Sequence, residues 1–129
     1  MIVQPEATIL ICDDEPSLRE LMRLSLDTGP AYRFVEAGDG SEAIEMLESV
    51  HPDLILLDVM MPGTNGIAVL EHLRAHPELS DIPAIVISAF ASPSDRQRAL
   101  EAGATRFVKK PFDPEALRSL VEELLPSRV

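Results

Sequence analysis

Apolar residues recur along the chain in five short runs of strand length: TILIC at 8–12, RFVEA at 33–37, DLILL at 53–57, PAIVIS at 83–88 and ATRFV at 104–108. Several of these runs are apolar on consecutive residues. That is the pattern of a parallel strand covered on both faces, whereas a strand with one wet face alternates apolar with polar. Between the runs, apolar residues return at the helical period. The helices so predicted span 16–27 (Leu18, Leu21, Met22, Leu26), 41–49 (Ala43, Ile44, Leu47), 66–75 (Ile67, Leu70, Leu73), 94–102, and 114–125 (Leu117, Leu120, Val121, Leu124). Strand and helix therefore alternate five times.

The punctuation agrees. Pro16 suits a first helical position, Gly38-Asp39-Gly40-Ser41 predicts a loop with a capping hydroxyl, Asp113-Pro114 opens the last helix, and Gly103 follows a helix where a left-handed residue is wanted. Alternation at this spacing predicts right-handed crossovers and an α/β fold, a doubly wound parallel sheet with helices on both faces. Such sheets bind their ligands at the carboxyl ends of the strands, so function is expected just after each strand. A length of 129 residues suits one domain, 1–129, with a core of about 8–125. Pro126 to Val129 read as a terminus or the start of a linker.

Charge narrows the partners. The 22 acidic residues outnumber the 11 basic ones, for a formal charge of −11. A nucleic-acid backbone or an anionic membrane surface is thus a poor match, and basic partners or cations a good one. No apolar run approaches the roughly 20 residues of a membrane span, and MIVQPEATILI has neither a basic leader nor a small-residue cleavage site. A cytoplasmic location is expected. The single cysteine, Cys12, lies in an apolar strand pattern and reads as a small buried hydrophobe.

The residues that follow each strand make a short set: Asp13 and Asp14 after the first, Asp58 after the third, Ser88 at the end of the fourth, Lys109 and Lys110 after the fifth. Adjacent like charges repel by ~1 kcal/mol in water and ~4 kcal/mol at a partly shielded site, so clustered acids call for a use. If the first strand lies beside the third, three carboxylates share one crevice. An oxygen-only set suits a hard divalent cation, magnesium above all. The competing reading is helix capping, which engages one carboxylate well but not three.

Asp58 lies in DLILLDVMMPGTNG, where four apolar residues deliver it to a loop with Pro62, Gly63 and Gly66. Alone it is an ordinary strand-end turn acid; beside a cation it can attack a phosphoryl group in line and become an aspartyl phosphate. A lysine at 109 or 110 can then pair with a phosphoryl oxygen, and Ser88 can donate to another. Strand capping for Ser88 and simple solvation for the lysines compete, and chemistry alone does not choose between Lys109 and Lys110.

These residues resemble a response-regulator receiver domain, the phosphorylated module of two-component signalling. The resemblance covers roughly residues 8 to 125 and rests on ICDDEP, the GDGSEA loop, DLILLDVMMPGTNG, IVISA and FVKKPF, in family order and at family spacing. It implies a five-stranded (βα)5 flavodoxin-like sheet of strand order 2-1-3-4-5. By position Asp58 resembles the phosphoacceptor, and Asp13 and Asp14 the acidic pair that binds Mg2+. Met60 would lend the metal its backbone carbonyl. Ser88 resembles the hydroxyl switch. Lys110, directly before a proline, inherits the phosphate contact, often beside a cis Lys-Pro bond. Phe107 resembles the aromatic switch, with core packing as an equal alternative. The implied readout is the face of helix 94–102, the fifth strand and helix 114–125. The implied partners are a sensor histidine kinase or histidine phosphotransfer protein and a downstream effector or output domain, with a monomer or a phosphorylation-linked dimer. Apolar Met60 and Phe90 would hinder water at the phosphorus, so slow self-dephosphorylation is expected rather than enzymatic turnover.

Rival readings fit less well. An aspartate-nucleophile phosphatase resembles its relatives in a D-x-D signature, and Met60 occupies the second acid's place. A nucleotide-binding domain lacks its glycine-rich loop here, and a pseudo-receiver would not need all five site positions. The last strand lacks the acidic pair of GADDY-type receivers, a hint against transcription-factor receivers. His72 and His76 have a zinc-compatible spacing but no third ligand nearby, and are expected at a solvated helix end. His51 reads as a helix-terminal residue.

Overall fold

The structure, a computed structural model, describes residues 7–27, 32–60 and 65–125. The elements alternate without exception: β1 (Ala7–Cys12), α1 (Pro16–Leu26), β2 (Tyr32–Ala37), α2 (Gly40–Val50), β3 (Leu54–Leu57), α3 (Gly66–Ala75), β4 (Ala84–Ser88), α4 (Pro93–Ala102), β5 (Arg106–Lys109) and α5 (Pro114–Leu124). All strand pairs are parallel, in the order β2-β1-β3-β4-β5. The expected α/β architecture and strand order are therefore present.

The consecutive apolar runs have a simple cause. Alternate residues of the three central strands point to opposite faces, and each face is covered. Leu10, Cys12, Ile55, Leu57, Ala84 and Val86 join residues of α2, α3 and α4 in one core cluster. Ile9, Ile11, Leu54, Leu56, Ile85 and Ile87 join Met22 and Leu26 of α1 and Leu117 and Val121 of α5 in the other. At ~25 cal/mol per Å2 of apolar surface removed from water, each buried leucine, isoleucine, valine or methionine among them contributes ~1.5–3 kcal/mol before chain entropy is set against it.

Several boundaries differ from the pattern. Helix α2 begins at Gly40 because Asp39, rather than the Ser41 hydroxyl, caps it: the Asp39 side chain accepts from the Glu42 amide at 2.8 Å. Helix α4 begins at Pro93 behind a full capping box of Ser92 and Asp95. Strand β5 starts at Arg106, two residues later than predicted, because Ala104 still closes the end of α4, its amide donating a hydrogen bond to the Ala99 carbonyl at 2.9 Å. Gly103 does terminate α4, at φ +120°. His51 is the C-cap of α2 in the left-handed region. Pro62 and Gly63, and Pro126 to Val129, lie outside the described residues. Among the described residues no helix is long and apolar enough to cross a membrane.

Candidate functional site

The parallel order puts the ends of β1, β3, β4 and β5 side by side, and the ladder continues one step past two of them. The Asp13 amide donates to the Ala37 carbonyl at 3.1 Å and the Asp58 amide to the Cys12 carbonyl at 2.9 Å. Backbone bonding thus carries both acids to the lip of the sheet. Lys110 is held likewise, its amide donating to the Ser88 carbonyl at 2.9 Å, and the Lys110-Pro111 bond is cis. Gly66 allows the next element to pack closely, since a Cβ there would stand 2.4 Å from the Val59 Cα.

Side chains then converge. The Lys110 Nζ donates to Asp13 Oδ2 at 2.8 Å and to Asp58 Oδ2 at 3.1 Å. Asp13 and Asp58 are buried and Asp14 is exposed, and carboxylate oxygens of all three lie within 4.8 Å of one another. Asp13 Oδ1 accepts the Glu15 amide at 3.0 Å, so this acid braces the turn as well as joining the cluster. Asp58 Oδ1 accepts the Met60 amide at 2.9 Å. Burial pulls the Lys110 ammonium toward its neutral form. The hydrogen bonds and charges of Asp13 and Asp58 together outweigh that pull and raise its pKa above the usual lysine value.

The three clustered carboxylates share one ammonium, which leaves an excess of negative charge at a cleft of about 210 Å3 whose walls include Glu15, Leu18, Met60, Ala89 and Phe90. A divalent cation would cancel that excess, and an all-oxygen donor set matches a hard ion. The residues therefore fit magnesium.

Ser88 is fully buried, and its Oγ accepts the Phe90 amide at 3.1 Å. That bond uses an oxygen lone pair and not the hydroxyl hydrogen. Lys109 is exposed, whereas Lys110 faces the acids, so geometry chooses between the two lysines. Phe107 is half-buried against the α2–α4 side of the core, with the Arg96 guanidinium carbon 5.0 Å from its ring centroid. Met60 and Phe90 stand exposed beside the cleft.

The structure brings the sequence-predicted acids, Ser88 and Lys110 to one end of the sheet and sets the histidines apart. His72 and His76 stack at 4.0 Å between centroids, with His72 Nε2 3.1 Å from Glu48 Oε1 and His76 Nδ1 bonded to the His72 carbonyl at 2.7 Å. Both are half-buried rather than solvated: His72 faces Glu48 of α2, onto which α3 packs, and His76 lies against His72. Burial pushes the Cys12 thiol well above its ordinary range, as its place in the core requires. Sequence reasoning missed Arg19, whose Nη1 donates to the Asp13 carbonyl at 2.6 Å while its Nε donates to Glu36 at 2.9 Å.

Comparison with known proteins decides the family. The model of the response regulator receiver domain matches residues 9–122. This chain belongs to the response regulator receiver family. It is 37% identical over 117 residues to the phosphate regulon transcriptional regulatory protein PhoB of Escherichia coli K12, covering 91% of this chain and 51% of that protein. It is 40% identical to the DNA-binding response regulator MtrA of Mycolicibacterium smegmatis, again over 91% of this chain and 50% of the relative. The chain thus spans about half the length of these relatives. One is named as a transcriptional regulatory protein and the other as a DNA-binding regulator, although the missing acidic pair in the last strand of this receiver had pointed away from such a subfamily. Among solved structures, the signal receiver domain of a signal transduction histidine kinase from Syntrophus aciditrophicus superposes with TM-score 0.85 at 36% identity, covering 95% and 94% of the two chains. Receivers of this kind thus sit in signalling proteins of more than one architecture.

Proposed function

We propose that this receiver, as a single domain over residues 1–129, accepts a phosphoryl group on Asp58 from a histidine kinase or a histidine phosphotransfer protein, in a magnesium-dependent step. The observation that carries this reading is the Lys110 ammonium bridging Asp13 and Asp58 at the carboxyl ends of the strands. Asp13, Asp14, Asp58 and the backbone carbonyl of Met60 would hold the ion. Bound magnesium would offset the negative charge that gathers between acceptor and donor.

An oxygen of the Asp58 carboxylate attacks phosphorus, the phosphorus–nitrogen bond of a phosphohistidine breaks, and its electron pair stays on the imidazole. An acyl phosphate remains on Asp58. Lys110, already 3.1 Å from an Asp58 oxygen, pairs with a phosphoryl oxygen as a point charge. The Ser88 hydroxyl turns its hydrogen toward another, and Phe107 follows inward, repacking the face of α4, β5 and α5. A phosphoryl group brings strong acceptors and roughly −1.5 to −2 of charge, enough to bias a two-state element. That face then signals to an effector or output domain, as a monomer or a phosphorylation-linked dimer, in the cytoplasm.

The test is incubation with magnesium and a small acyl phosphate, followed by intact mass. A gain of one phosphoryl group is expected, lost in Asp58→Asn and with chelator. Equal labelling of that variant rejects the assignment.

A further inference from the structure

Arg19 occupies the first turns of α1, where a cation opposes the positive end of the helix dipole and lowers helix stability by ~0.3–1 kcal/mol. Its guanidinium is nonetheless held low against the protein, with 18% of the side chain exposed. It makes two divergent bonds, from Nη1 to the Asp13 carbonyl at 2.6 Å and from Nε to Glu36 Oε1 at 2.9 Å. Glu36 lies on β2, the neighbour of β1, so the arginine ties the end of β2 to the residue that follows β1. The other polar groups of Asp13 are engaged elsewhere: its amide by Ala37, Oδ1 by the Glu15 amide and Oδ2 by Lys110. The bond from Arg19 completes the set and fixes the plane of the peptide between Asp13 and Asp14. That peptide links the two neighbouring acids of the cluster, so its orientation sets where both carboxylates point.

We infer that Arg19, aimed by Glu36, is a positioning residue that orients Asp13 and Asp14 for the metal. The inference rests on the magnesium reading of the acidic cluster. Simple electrostatics makes the opposite prediction, which gives the test its power. Removing a cation beside an acidic cluster strengthens cation binding if charge alone matters. Losing the orientation of two ligands weakens it, and partners that orient metal ligands are typically worth 10–100-fold in affinity.

The experiment is calorimetric titration of magnesium into phosphodonor-free wild type, Arg19→Gln, Glu36→Gln and Asp13→Asn, beside thermal denaturation without metal. Arg19→Gln is expected to bind magnesium about tenfold more weakly than wild type. Glu36→Gln should keep most of the affinity, because its amide oxygen still accepts from Nε and keeps the arginine aimed. Unchanged or tighter binding in Arg19→Gln overturns the inference, even if that variant melts earlier, because a merely structural role moves melting alone. If Arg19→Gln does not fold, Glu36→Ala, which leaves the arginine unaimed, is titrated instead, and wild-type affinity there overturns the inference equally. Wild-type affinity in Asp13→Asn would instead sink the acidic-cluster reading beneath it.

Discussion

The guanidinium of Arg74, at the end of α3, encloses the carbonyl of Gly103, the residue that ends α4: Nε lies 3.0 Å and Nη2 2.7 Å from that oxygen. The remaining nitrogen, Nη1, donates to the carbonyls of Ser80 and Ile82, both at 2.8 Å. One side chain therefore satisfies three backbone carbonyls from two loops, and Gly103 is suited to its place because a Cβ would stand 2.5 Å from the Arg74 Cγ at a φ of +120°. Arg74→Gln should lower stability by ~2 kcal/mol, the scale of hydrogen bonds to a charged group. Gly103→Ala should lower it by more than ~1 kcal/mol, through backbone strain. Urea denaturation of both variants and of the double variant checks this. Effects that sum without interaction would contradict the contact.

Lys110 makes stability depend on alkaline pH, with a definite sign. Its folded pKa is raised above the ordinary 10.5, so its contribution is complete below that value and is lost as pH rises through the folded pKa. The chain has two lysines, Lys109 and Lys110, and the first is exposed, so little else of this type obscures the effect. Metal-free melting temperature is expected to fall more steeply in wild type than in Lys110→Met as pH rises above 10.5. Parallel curves for the two would show that the bridge contributes nothing.

The fold and most of the site were legible for one physical reason. Central parallel strands buried on both faces cannot hide their runs, and acids placed directly after such runs have no packing role to explain them. Arg19 and Arg74 were not legible. Their bonds go largely to backbone carbonyls or reach residues 17 and 29 positions away, and no periodicity records such contacts. The start of α2 was misjudged because Asp39 and Ser41 are both able to cap. The choice lay in the extended backbone of Asp39, which aims its carboxylate at the Glu42 amide. The histidine pair was read as solvated because the packing of α3 against α2 is a tertiary fact that residue spacing does not carry.

Asp14 is the exposed member of the acidic cluster, which separates two effects that coincide in the buried acids. Without metal its charge only adds repulsion, so Asp14→Asn should melt ~2 °C higher than wild type. With millimolar magnesium the order should reverse, because wild type gains binding free energy that the variant lacks. Thermal denaturation with and without the ion reads both. A variant stabilised by magnesium as strongly as wild type would remove Asp14 from the metal site.

Cys12 is fully buried in the sheet, and burial holds its thiol in the protonated form at neutral pH. Alkylating reagents should leave the folded protein unmodified and add one group after denaturation, as intact mass will show. Cys12→Ser should cost about 1–3 kcal/mol, because the core there offers an apolar site to a hydroxyl. Rapid alkylation of the native chain would argue for a reactive thiol.

The lifetime of the proposed aspartyl phosphate should depend on the two apolar side chains beside the cleft. Met60 and Phe90 are 54% and 56% exposed, so neither is needed to fill the core, and both line the space through which a water must approach phosphorus. An apolar side chain there offers an attacking water no hydrogen bond and narrows its in-line path. Replacing either with a polar group supplies both an acceptor and room. Met60→Asn and Phe90→Glu are each expected to speed dephosphorylation by about tenfold, a barrier change of only ~1.4 kcal/mol. The decay of the phosphorylated mass with time measures it directly. Because neither residue supports the fold, melting temperature should stay near that of wild type, which separates a change in water access from a loosened site. Equal decay rates in wild type and both variants would show that water reaches the phosphorus by another route.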